Sequence, residues 1–460
     1  MRTITILIAA VLLVSPSAYA EREQEEEAVG SGGVHGTIQD YLDRADDAID
    51  NFTIAGKVKL DVGWSMRCIY DDNIFLNNTN EPNTEGREGA LIWETSLALG
   101  FHIPVNPEYV RWFDEDRITL LRYRIRVQEY VDRGDLDNLS HSFKSNIFSF
   151  LDNILNVKGE AKNIYFQVRN DLDFVTDPLD LEVKNLNAIS LPTLKAVKEL
   201  ERWENRFAAR VGYSGNVPFG EIGYANELYS FKDDLFESAD HMEHTFRVRA
   251  GAHVLEDKDV YVEGRLRILD FDKRILNDAE VFEAVVGFDG IIISRKLKVN
   301  AEVGYVRWES STNGATADDS DHEGAMGMLR AVFRPFPERN LQVQLEASRR
   351  LAWSAIANFR IDDTVMLSVV YEILPKRLDV DATAAISNHN ESDGPDRTLL
   401  EGSVGLVYHL FKQVDVSLRY QMRRQNSWDE LVILAGPGLV FASDGDFRQN
   451  IFSLGIDVQF

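Results

Sequence analysis

At 460 residues with 49 basic against 75 acidic side chains, the chain has a formal net charge of −26, a balance that argues against nucleic acid as a partner. Its one cysteine, Cys68, excludes an intramolecular disulfide, so stability must come from strand pairing and burial. After residue 20 no stretch approaches the ~20 consecutive apolar residues that a spanning helix needs, and the mean hydropathy is negative.

The first twenty residues read as a secretory signal peptide: Arg2, an apolar run over 4–14, then Ala18 and Ala20 in an A-x-A arrangement. They predict cleavage before Glu21, and no cysteine follows to accept a lipid. The alternative, a membrane anchor, needs a longer apolar run. Residues 21–56 form a second unit. An acidic run at 21–27 and glycines between 30 and 36 precede Ile38, Tyr41, Leu42, Ala45, Ile49 and Phe52, whose spacing predicts a short amphipathic helix. A periplasmic lead-in is the first reading of that helix, and a partial plug in a barrel mouth is the second.

From residue 57 to 460 the period becomes two. Val58, Leu60, Val62, Trp64, Met66, Cys68 and Tyr70 alternate with polar or small residues, a two-faced strand long enough to cross a bilayer at a tilt. The pattern recurs in Trp93 to Phe101, in Leu121 to Val127 opposite Arg122, Arg124 and Arg126, and onward to Val414 to Met422. Such alternation averages out in a hydropathy scan, as it does in transmembrane barrels. About eighteen strands result, or sixteen if segment 141–151 is discounted, because Phe148 and Phe150 break the alternation set by Phe143 and Ile147. Connections alternate too: tight turns at 214–216, 255–258, 294–296, 335–340, 374–377 and 411–413 separate longer polar loops at 232–241, 310–323, 389–397 and 426–447. Short turns and long loops on opposite rims describe an all-β, single transmembrane, antiparallel up-and-down barrel with both chain ends in the periplasm. A soluble sandwich or β-helix has no reason for this alternation.

The longest polar connection, 175–201, carries helix signals of its own. Ser190 caps, Pro192 suits a first turn, and Leu194, Val197 and Leu200 share a face. Folded inward, it would bring Lys195, Lys198 and Glu199 into the pore as a constriction; a helix on the outer rim is the equal alternative. The final strand alternates Phe452, Leu454, Ile456, Val458 and Phe460 to the last residue, and its terminal aromatic resembles the signal read by the outer-membrane insertion machinery.

Catalytic patterns are missing from the sequence: the nine histidines are scattered, with no H-E-x-x-H and no G-x-S-x-G. We expect no enzyme and no cofactor or metal. His241 and His244 lack further ligands and read as a solvated loop, and His141 and Ser142 point to opposite faces of a strand and cannot form a dyad. Acidic clusters at 71–72, 233–234 and 318–321 read as solvated surface loops, with loose divalent binding as the second reading. Charge distribution is more telling. Arg122, Arg124, Arg126, Arg206, Arg210, Arg247, Arg249, Arg265, Arg267, Arg330, Arg419 and Arg423 alternate with apolar residues and must face the lumen, because on the lipid side each costs a few kcal/mol at the bilayer midplane. They predict an anion-preferring pore, or a structural network with inward Glu204, Glu263, Glu302, Glu346 and Asp415; the two are compatible.

The run YDDNIF at 70–75, DFVTDP at 173–178, the repeated strand-turn-strand units ending in Tyr or Phe, and the terminal strand 451–460 resemble an outer-membrane β-barrel porin family often encoded with exopolysaccharide or exosortase systems. The resemblance spans nearly everything from residue 57 onward. It implies a passive barrel without catalytic residues, passing hydrophilic solutes or polysaccharide, and leaves the solute and the oligomeric state open. Two features depart from it: the long connection 104–117 and the apolar tract 431–442. The rival reading is a closed structural or assembly barrel. The expected partners are outer-membrane lipid and the insertion machinery. N-terminal sequencing of the membrane-fractionated protein should begin at Glu21, and deletion of Phe460 should lower the yield of heat-modifiable barrel.

Overall fold

The computed structural model describes residues 53–54, 58–72, 89–104, 117–132, 134, 137–150, 164–175, 201–232, 240–255, 257–272, 277–293, 296–311, 321–336, 340–353, 359–392, 396–427, 431–434, 440–443 and 447–460. The signal peptide, the helix expected within 21–56 and the loop residues Lys195, Lys198 and Glu199 lie outside them. The strands are Thr53–Ile54 (β1), Val58–Asp71 (β2), Ala90–Pro104 (β3), Arg117–Tyr130 (β4), Asn138–Phe150 (β5), Ile164–Val175 (β6) and Arg202–Ser214 (β7). Next come Pro218–Phe231 (β8), His241–Leu255 (β9), Lys258–Phe271 (β10), Ala279–Ile293 (β11), Leu297–Ser310 (β12), His322–Phe333 (β13) and Gln342–Trp353 (β14). Phe359–Leu374 (β15), Leu378–Glu391 (β16), Arg397–Phe411 (β17), Val414–Ser427 (β18), Leu431–Leu434 (β19), Val440–Ser443 (β20) and Phe447–Gln459 (β21) complete the set.

From β2 to β18 each strand pairs antiparallel with the next, β18 pairs with β21, and β21 pairs with β2, closing an eighteen-stranded barrel. An even number lets the seam close antiparallel as well. Reciprocal bonds between Val62 and Phe460, N to O at 3.2 and 2.9 Å, hold its lower end. At its upper end Asp71 accepts from Gln449 at 2.7 Å, and Asp72 accepts from the backbone N and side-chain amide of Asn450, both at 2.6 Å. These two acids, expected to be solvated, thus lock the seam. The weak segment is a full strand: β5 pairs with β6 from His141 to Phe150, because the backbone ladder continues where the side-chain alternation falters. The count is therefore eighteen and not sixteen. The apolar tract is accounted for by the small hairpin β19–β20, in register from Leu431↔Ser443 to Leu434↔Val440, within the β18–β21 connection.

The tight turns and both ends of the barrel chain share one rim, here the turn end, which also carries the longer β3–β4 and β5–β6 connections; the loops that alternate with the tight turns from β7 onward share the other, the loop end. Lys376 in the β15–β16 turn has φ of 58° and Asn340 before β14 has φ of 46°, the left-handed conformation that tight reversals require. Four outer connections share a clasp. The carboxylate of an aspartate just before or at the returning strand accepts the backbone N–H of the last residue of the outgoing one: Tyr130 to Asp137 at 2.7 Å, Phe231 to Asp240 at 2.7 Å, Phe271 to Asp278 at 2.8 Å and Ser310 to Asp321 at 2.9 Å. Part of the acidity of the loops is thus structural.

Large apolar side chains point outward, with Val303 65% and Ile222 66% exposed, while buried charged residues point inward. On the inner wall near the turn end, aromatic rings lie over glycines on the adjacent strand. Tyr261 covers Gly287 and Tyr165 covers Gly212, where a Cβ would stand 2.1 and 2.4 Å from the ring. No larger residue fits beneath them. The substitution Gly287→Ala should expel the Tyr261 ring, break its hydrogen bond to Glu302 and destabilise the barrel by about 1–3 kcal/mol, read as a lower temperature of heat modification.

Candidate functional site

Register assigns every one of the twelve arginines singled out from the sequence to the inner face, but they fall into two groups. Those on β7, β9 and β10 belong to a dense ionic network. Glu221 takes Arg210 at 3.0 Å and Arg247 at 3.6 Å. Glu263, whose side chain is fully buried, takes Arg247 at 2.5 Å, Arg249 at 3.7 Å and Arg265. Glu283 takes Arg265 at 3.2 Å and Arg267 at 2.9 Å, and Glu302 takes Arg265 at 3.7 Å. Arg206 meets Glu204 at 3.0 Å. Arg249 also lies 3.4 Å over the ring of Tyr261. Glu204, Glu263 and Glu302 were expected in this role. Glu221, Glu283 and Arg202 were missed, although each stands on the polar face of an alternating strand, where it could have been read. Elsewhere Arg330 meets Glu346 at 4.0 Å, Arg419 meets Asp381 at 3.0 Å and Arg423 meets Glu401 at 3.2 Å. Asp415, also expected to meet an arginine, takes His409 at 2.7 Å instead.

The second group is the ladder Arg122, Arg124 and Arg126 on β4. Alternate residues put the three guanidinium stems on one face at steps of about 6.8 Å. Their partners across β3 are Gly100, Ala98 and Ser96, and across β5 they are Lys144, Ser142 and Ser140. No acid on β3 or β5 stands directly opposite an arginine of the ladder; Glu94 lies one rung beyond Arg126 on β3, opposite Gln128, and Asp171 of β6 stands opposite Lys144. Among the described residues no ion pair joins Arg122, Arg124 or Lys144 to a carboxylate. Two recesses flank it: one of ≈ 340 Å³ reaching to Asp173, Glu204 and Arg206, and one of ≈ 190 Å³ reaching to Arg67, Asp61 and Asp457. Arg67, which bridges to Glu94 at 3.6 Å and Asp457 at 3.4 Å, marks the far edge. Lys144 was missed because it sits on the strand whose alternation was weakest.

Other sequence candidates are dispersed. His241 begins β9 and is not in a loop; its ring is buried on the inner face, stacked 4.8 Å from Tyr229, while His244 lies on the opposite face with Tyr224 at 2.8 Å. His141 bonds the Tyr123 hydroxyl at 2.7 Å. Phe460 takes part in the seam bonds given above.

No family model matches the chain, and no curated relative does. Among solved structures the chain is similar to OccK2 (OpdF) of Pseudomonas aeruginosa in complex with glucuronate, at 9% identity and TM-score 0.43, over 88% of this chain and 98% of that one. It is also similar to OccAB4 of Acinetobacter baumannii, at 9% identity and TM-score 0.41 over 89% and 100%, and to an anion-selective porin from Comamonas acidovorans, at 10% and 0.37 over 88% and 99%. At such scores neither the solutes nor the strand geometry of those proteins transfer to this chain, whose fold rests on its own ladders. Replacing Glu263 by Ala should leave three arginines facing one another without their shared anion and cost about 2–3 kcal/mol, measured as unfolding temperature in micelles.

Proposed function

We propose that the protein is an outer-membrane, porin-like channel that passes hydrophilic solutes by diffusion and prefers anions. The observation that carries this reading is a cationic cluster on the inner wall of a closed barrel: Arg122, Arg124 and Lys144, which make no ion pair with a carboxylate among the described residues, with Arg126 beside them. An eighteen-stranded barrel has room for an aqueous lumen. Fixed charge along such a lumen raises the local concentration of the opposite ion and lowers its barrier to entry. The ion-paired wall of β7 to β12 contributes shape and little net field, because each arginine there has its anion beside it. The outward apolar band supports placement in a bilayer, and the turn end with the chain termini supports a periplasmic orientation. Polysaccharide remains one candidate solute among hydrophilic ones, suggested by the sequence resemblance alone.

The rival reading, a closed structural barrel, draws on that same ion-paired wall and selects for itself if refolded protein conducts no ions. In planar bilayers we expect single-channel conductance with an anion-to-cation permeability ratio above one. The triple variant Arg122→Gln, Arg124→Gln, Arg126→Gln should lower that ratio by about twofold or more while keeping heat modifiability. An unchanged ratio removes the ladder from the pathway.

A further inference from the structure

Away from the seam the wall parts in two places: at the turn end, where β4 and β5 pair only from Leu121↔Ser145 to Gln128↔Asn138, and at the loop end between β13 and β14. Most neighbouring strands pair over nearly their whole length, but β13 and β14 pair only from Gly327↔Arg349 to Phe333↔Val343. Above that rung His322 to Met326 of β13 remain bonded to β12 alone among the described residues, and Arg350 to Trp353 of β14 remain bonded to β15 alone.

Side-chain faces show where the freed end has gone. Leu351, Phe359 and Ile361 stand on the same face of β14–β15 as Leu345, Val365 and Leu367, which point outward and are 42 to 47% exposed. Yet Leu351 and Phe359 are buried in one cluster with Trp308, Val306 and Met326, and Ile361 packs against it. Those three share the inward face of β12 and β13 with Glu302. An outward face can touch an inward face only if the loop end of β14–β15 has stepped inside the wall and lapped over β12 and β13. The Phe359 ring lies 5.7 Å from Trp308 and 5.3 Å from His322, and Arg267 donates to the Leu351 carbonyl at 3.1 Å. Where β14 departs, a recess of ≈ 520 Å³ opens beside Gly327, Leu329, Ala347, Val365 and Ile386.

The sequence supports a second seating equally well. Continuing the register past Gly327↔Arg349 sets Met326 opposite Arg350, Ala325 opposite Leu351, Gly324 opposite Ala352 and Glu323 opposite Trp353. In that arrangement Leu351, Phe359 and Ile361 join the outward apolar face and four further rungs satisfy the free edge of β13. Each seating has its own compensation: the lapped one buries an apolar cluster and leaves an edge unpaired, the zipped one pairs the edge and gives up the cluster. Two packings of one segment with offsetting terms make a bistable element.

We infer that the loop end of the β14–β15 hairpin exchanges between a lapped seating inside the mouth and a zipped seating in the wall, and that this exchange sets the width of the channel at its loop end. The effect on conduction rests on the channel reading; the exchange itself does not. The test is a disulfide in a Cys68→Ser background, using the mature barrel refolded in micelles. The pair Ala325→Cys and Leu351→Cys is opposed only in the zipped seating, whereas Leu329→Cys and Ala347→Cys is opposed on an existing rung and serves as control. We expect both pairs to oxidise, and the oxidised Ala325–Leu351 pair to raise single-channel conductance by about half, reverting on reduction. Trp308→Ala, which weakens the lapped cluster, should speed oxidation of that pair. A control that oxidises while the Ala325–Leu351 pair stays reduced would overturn the exchange. Oxidation without a change in conductance would overturn its hold on the mouth. Barrels that cross-link but never conduct would sink the channel reading and leave the exchange standing.

Discussion

Backbone hydrogen bonding is the constraint on which the rest depends. Where water is absent, each unpaired N–H or C=O costs several kcal/mol, and a β-sheet escapes that cost only by having no edge. The chain meets the condition by returning its final strand to its first. Val62 and Phe460 bond reciprocally across the seam, and Asp71 and Asp72 fasten its other end to Gln449 and Asn450. Once closed, every strand has one face toward the exterior and one toward the lumen, and the period-two sequence is the direct consequence. The β13–β14 break is a wall position where this rule is relaxed and something else must compensate, as β4 and β5 relax it at the turn end.

Inside the barrel the same economy governs charge. A guanidinium held against a low-dielectric wall needs an anion, and on β7 to β12 the glutamates at Glu221, Glu263 and Glu283 each serve two or three arginines. That sharing makes a rigid, nearly neutral surface. β4 departs from it: Arg122 and Arg124 stand opposite glycine, alanine, serine and Lys144 and make no ion pair with a carboxylate among the described residues. The paired wall and the cationic one thus stand on different strands.

Much of this was legible from the residues. Alternation over 57–460, the uneven connection lengths and the terminal aromatic are local or periodic signals, and they led to the architecture because a barrel strand writes its two faces directly into the chain. The inward direction of the arginines followed by the same logic. Which arginines are paired did not, because pairing depends on the neighbour across the ladder: Arg249 looks like Arg124 in isolation and differs in facing Glu221 and Glu263 instead of Ala98 and Ser142. The roles of Asp137, Asp240, Asp278 and Asp321 were hidden for a similar reason, since a carboxylate that clasps a backbone N–H and one that is merely solvated have the same composition. The lapped hairpin was invisible in principle, because its sequence continues the outward pattern without interruption.

Those four clasps have a bearing on how such a protein can change over time. Each one completes the hairpin at the base of its loop, so the wall below does not rely on the residues above for its last hydrogen bond. The stretches between the clasped ends are then released from structural selection, and insertions or wholesale replacement there tax stability only through the slow growth of loop-closure entropy with length. The loop end can diversify at its own pace while the barrel that carries it stays fixed, and the same decoupling makes these loops suitable ports for displaying foreign peptides.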